Sequence, residues 1–148
     1  MQTKAPQTYP ALAQAAREAR GKDWPAAARL AAELRERFPD QPAGWQTGAM
    51  ASREMRDFTL AATLRREGEA RFPTQSWPLA EAAWAARAQG DIDTALALTE
   101  ALRERFPASP TGWQLGARLL RQRDRAAEAA AILRAAAGRF PTADWPAR

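Results

Sequence analysis

Two residue types recur at an interval that invites a chemical reading. Asp23, Asp57 and Asp91 follow a strict 34-residue spacing, and so do Arg53, Arg87 and Arg121. Paired carboxylates can share acid–base work, and guanidinium groups bind carboxylates or phosphates through forked hydrogen bonds. Each Asp, however, falls in a turn between two helical patterns, where a carboxylate serves as a local capping acceptor. Repetition in successive turns fits structure rather than a reaction. The chain has no histidine and no cysteine, which removes the commonest general base, the thiol nucleophile, most transition-metal ligand sets and disulfides. Gly44, Gly48, Gly112 and Gly116 are dispersed through helix starts, not gathered in a phosphate loop. The expectation is a non-enzymatic chain with no catalytic residue, cofactor or metal site.

The elements that carry these residues are set by one tripeptide. Arg-Phe-Pro occurs at 37–39, 71–73, 105–107 and 139–141, in the same 34-residue period. Proline lacks an amide donor and disfavours helical geometry in the residue before it, so each copy terminates a helix. Valine and asparagine are absent, and Ile92 and Ile132 are the only isoleucines, a palette unsuited to a sheet. Apolar spacing of three and four predicts eight helices in four hairpins, at residues 10–20 and 25–37, 42–55 and 58–71, 78–88 and 92–105, and 110–122 and 126–139. Residues 1–7 read as a flexible lead-in, 8–141 as the repeat array, and 142–148 as the start of a truncated or capping fifth unit.

A longer, 68-residue period lies over the first. It relates Tyr9-Pro10, Trp77-Pro78 and Trp145-Pro146, and likewise Gly44-Trp45-Gln46 and Gly112-Trp113-Gln114. Odd and even hairpins therefore alternate. Trp45 and Trp113 share a helical face with Ala49 and Ala117 and read as core between helices. Trp24, Phe58 and Ile92 open second helices at equivalent positions and read the same way.

These features resemble the tetratricopeptide repeat. Gln89-Gly90-Asp91-Ile92-Asp93-Thr94-Ala95 is similar to the family's turn and second-helix opening. Trp45 and Trp113 match its early aromatic, Ala27, Ala61, Ala95 and Ala129 its small second-helix residue, and the prolines its closing one. Gly48-Ala49 and Gly116-Ala117 depart from the family's Leu-Gly, and an aromatic precedes every closing proline. The resemblance implies an all-α, right-handed α-solenoid of about four hairpins and a role in protein–protein interaction. It further implies that first helices line a concave groove, with Gln46, Met50 and Arg53, then Trp77, Trp84 and Arg87, then Gln114, Arg118 and Arg121 facing it. Stacking would align Arg53, Arg87 and Arg121 as a solvent-facing ladder, with Trp84 between Met50 and Arg118. Such a groove suits an acidic peptide with an apolar anchor. The alternative is that the arginines are solvated and Trp77 packs on the next hairpin. The family's carboxylate clamp uses asparagines, which this chain lacks, so chaperone tails are not expected ligands.

Other function classes remain as alternatives. The net charge of +5 makes nucleic-acid binding conceivable. Glu33, Glu36, Glu100 and Glu104 nonetheless alternate with arginine along the second helices, which reads as balanced solvated faces. Alternating arrays of this kind also resemble arms of larger bacterial glycosyltransferases or sulfotransferases. No apolar run approaches the ~20 residues of a membrane span, and residues 1–10 lack the basic start and apolar stretch of a signal peptide, so a cytoplasmic location is expected. The last full helix offers Ala129, Ile132, Leu133 and Ala136 with no successor. The expectation is that the chain continues past Arg148, or that Trp145 or a second copy covers this strip.

Overall fold

Alanine-rich segments punctuated by proline fold here into helices alone. The computed structural model describes residues 8–141, and among these it contains eight α-helices and no strand. They are α1 (Tyr9–Ala19), α2 (Trp24–Arg37), α3 (Ala43–Glu54), α4 (Phe58–Arg71), α5 (Trp77–Ala88), α6 (Ile92–Arg105), α7 (Thr111–Gln122) and α8 (Ala126–Arg139). The lead-in, the fifth unit and Trp145 lie outside the described residues. The chain divides into two compact units, Met1–Glu81 and Ala82–Arg148, and α5 runs through the division.

The ends of the second helices follow from their chemistry. Phe38, Phe72, Phe106 and Phe140 are the C-terminal caps, each still donating its amide to the carbonyl four residues back before proline stops the helix. Asp23, Asp57 and Asp91 cap α2, α4 and α6, accepting from the amides of Ala26, Leu60 and Thr94 at 3.0, 3.1 and 3.2 Å. Arg125 takes this place before α8 and makes no side-chain cap. The first helices shift by one residue from expectation. Tyr9 and Trp77 join α1 and α5 ahead of their prolines, because the first turn has no intrahelical acceptor to lose. Pro42 and Pro110 stand just outside α3 and α7 as the capping residues.

Packing within each unit is thin and close. In Met1–Glu81, Leu12, Ala13, Ala16 and Leu34 form one cluster, flanked by Tyr9 edge-on to Phe38, while Ala49, Leu64 and Trp77 form another. In Ala82–Arg148, Ala83, Ala86, Ala95, Leu115 and Leu119 pack together, and Ala117 and Leu120 pack against Ala129 and Leu133. Much of the apolar strip expected to lack a successor on α8 is covered within its own hairpin. Ala129, Leu133 and Ala136 are buried and Ile132 is half-buried. Residues spaced three and four apart turn that face onto α7, the helix's own hairpin partner.

Candidate functional site

The chemistry-bearing side chains fall into joints between hairpins and outward faces of first helices. The joints explain the 68-residue period. Arg35 of α2 lies across the start of α3, where its Nη1 donates to the carbonyl of Gly44 at 3.0 Å. Arg103 of α6 does the same to Gly112 of α7, also at 3.0 Å. A Cβ at Gly48 or Gly116 would collide with the respective guanidinium, so glycine leaves the room in which each arginine sits. Trp45 and Trp113 close these seats. Their indole Nε1 groups donate to the carbonyls of Pro39 and Pro107, each at 3.1 Å. Arg35 and Arg71 flank Trp45 at 5.8 and 4.6 Å from the ring centre, and Arg103 and Arg139 flank Trp113 at 6.0 and 5.5 Å. Both indoles are half-buried, so they pack between helices as expected while keeping one polar edge satisfied. Burial lowers the pKa of Arg35 and Arg103, yet arginine stays charged. These are structural joints.

The outward face of α3 is occupied from within its own unit. Gln46, Met50 and Arg53 are all half-buried. Arg53 forks onto Glu81 of α5, Nε to Oε2 at 2.5 Å and Nη2 to Oε1 at 3.2 Å, and also reaches Glu54 at 2.9 Å. Glu81 is only 6% exposed. Desolvation pushes its carboxyl pKa upward, against the pull of Arg53. Arg20 Nε donates to the sulfur of Met50 at 3.4 Å. Trp77 is 9% exposed, its ring against Gly68 and its Nε1 donating to Gln75. The solvent-facing role expected of Arg53 is therefore corrected, and Trp77 is a packing residue, but on α3 and α4 of the preceding hairpin and not on the next one. Glu81 and Arg20 were missed. The one available signal was a single acid in the otherwise apolar run Leu79 to Ala86.

The outward face of α7 is open. Its inward Leu115 and Leu119 pack on Ala83 and Ala86 of α5, which sets the two helices side by side. Gln114, Arg118 and Arg121 are exposed on the other side, three and four residues apart. Among the described residues, no acid pairs with Arg118 or Arg121. On α5, the Arg87 guanidinium lies 5.9 Å from the Trp84 ring centre, and its Nε is buried with no hydrogen-bond partner. A hollow of about 560 Å³ between α6 and α8, floored by Leu96, Leu120 and Ile132, was not anticipated. Among the described residues, no group of three acids could hold a metal ion, and no helix is long and apolar enough to cross a membrane.

Comparison with known proteins bears on the fold. A tetratricopeptide repeat family model matches residues 81–109. No curated protein matches the chain. Among solved structures, the chain is similar to TTC0263, a thermophilic tetratricopeptide-repeat protein of Thermus thermophilus, with 19% identity, a TM-score of 0.78, and 93% of this chain and 76% of that one covered. MamA from Desulfovibrio magneticus RS-1 aligns at 12% identity and a TM-score of 0.68 over 92% of this chain and 77% of its own. A mutant O-GlcNAc transferase of Thermobaculum terrenum aligns at 20% identity and a TM-score of 0.71, over 91% of this chain but 28% of the enzyme. The all-α helical-repeat architecture is shared with all three.

Proposed function

We propose that this tetratricopeptide-repeat protein is a non-catalytic scaffold that binds a peptide or protein segment along the outward faces of its first helices. One observation carries the reading. Gln114, Arg118 and Arg121 form the open stripe of a helix whose remaining faces are buried, and they contribute nothing to the core. Side chains held on a rigid element without an internal role are what a binding face requires. The partner this face suits is acidic with an apolar anchor, since Trp84 and Arg87 lie on the neighbouring helix. In the other unit, Met50, Arg53 and Trp77 take internal contacts and Gln46 is half-buried, so these four are weaker candidates.

Panning random peptides against the immobilised chain tests this. A consensus should emerge, and adding that peptide should perturb amide resonances of α5 and α7. No consensus, or perturbations confined to the second helices, overturns the reading. A second reading, an arm of a larger enzyme, is favoured by the likeness to the O-GlcNAc transferase, of which the aligned part is 28%. An immunoblot showing a native protein well above 16.3 kDa supports it; a band at that mass removes it.

A further inference from the structure

The molecule contains an internal example of how one of these arginines is used. Arg53 and Arg121 occupy the same register of the longer repeat, near the ends of α3 and α7. Arg53 holds a carboxylate in a two-pronged fork supplied by Glu81, which sits on a helix among small residues, Ala80, Ala82 and Ala83. Arg121 is exposed and unpaired with any described acid. One turn earlier, where α3 carries Met50, α7 carries Arg118, also exposed and unpaired. The α7 stripe therefore presents two cations about one helical turn apart, which fits two carboxylates with the same separation.

We infer that α7 takes a helical segment of a partner protein bearing two acidic side chains one turn apart, one of them forked onto Arg121 as Glu81 is onto Arg53. The inference rests on the scaffold reading and specifies its ligand. A protein segment is favoured over nucleic acid because Glu100, Glu104 and Glu128 interrupt the exposed Arg105, Arg125, Arg134 and Arg139 around α6 and α8, the helices α7 packs against, so a polyanion tracking across the unit would meet a mixed surface and not a continuously basic one. Arg118 and Arg121 span a single helical turn, the separation of two acidic side chains on one face of a helix.

The test uses the full chain and a labelled peptide of residues 77–88 with Ala85→Glu, so that its acids at 81 and 85 lie one turn apart. Fluorescence polarisation should show saturable binding. An isosteric peptide with glutamine at both positions should bind at least about tenfold more weakly, and Arg118→Ala with Arg121→Ala in the chain should have a similar effect. Both arginines are exposed, so circular dichroism should be unchanged; Arg66→Ala, on the exposed side of α4, serves as a control that leaves binding intact. Equal affinity for the amide peptide, insensitivity to the double variant, or absence of saturable binding overturns the inference. If instead a single-stranded oligonucleotide binds the same arginines more tightly than the acidic peptide, the ligand is nucleic acid and the inference is wrong. Panned peptides that bind without acidic residues would leave the scaffold reading standing while removing this one.

Discussion

The outward stripes of α3 and α7 start from one sequence register and end in opposite states. Gln46, Met50 and Arg53 are half-buried, and Arg20 and Glu81 hold the latter two. Gln114, Arg118 and Arg121 are exposed and held by nothing described. The difference teaches that repeat position fixes the direction in which a side chain points, whereas a single residue elsewhere fixes whether it is available. For Arg53 that residue is Glu81. A buried ion pair is not itself strong evidence for stability, but leaving one of its charges unpaired is costly.

The comparison breaks most sharply at that pair. Glu81→Ala should lower unfolding free energy by about 3 kcal/mol, near the low end for breaking a buried pair because Glu54 keeps its contact with Arg53. Arg121→Ala should change it by less than about 0.5 kcal/mol, as exposed substitutions do. Urea melts of the two variants check the contrast; equal midpoints would mean the stripes are equivalent after all. The glycine seats give a smaller difference. A Cβ at Gly44 would meet the Arg35 backbone nitrogen at 2.8 Å, whereas at Gly112 the nearest atoms lie 3.1–3.2 Å away. Gly44→Ala should cost about 2 kcal/mol as overpacking, and Gly112→Ala should stay within about 0.5 kcal/mol because the helical preference of alanine offsets a milder contact. A loss at Gly112 as large as at Gly44 would show that the two seats are equally tight. The smallest effect compares α4 with α8. Removing the cap with Asp57→Ala should cost about 1 kcal/mol. Arg125→Ala, which removes no cap and one exposed ion pair with Glu128, should cost almost nothing. Thermal melts that rank these two in the reverse order would refute the capping account.

The fold was legible because its punctuation is local. Proline after phenylalanine ends a helix wherever it occurs, and α4, α6 and α8 begin and end where spacing placed them. The open stripe was legible for a similar reason, since residues three and four apart on α7 must share a face. Closure of the α3 stripe was not. It depends on an acid far along the sequence, on another helix, and one glutamate among alanines carries no periodic signal. Gly48 and Gly116 stood out only as departures from a family pattern. Their reason, a guanidinium lying where a methyl group would be, exists only once α2 meets α3 and α6 meets α7. Even so, Arg35 and Arg103 share the 68-residue spacing, and that coincidence was available to be noticed.

The arginine seat also limits how such an array could be lengthened or rearranged. One hairpin after Arg35 the corresponding residue is Glu69, and one hairpin after Gly44 and Gly48 the positions hold Pro78 and Ala82. Removing a single hairpin would bring an arginine clamp against a helix with no space for it and leave a glycine-lined helix with nothing to fill it. Modules can be exchanged in this scaffold only as pairs, so an engineer grafting a new binding face should cut at intervals of two hairpins.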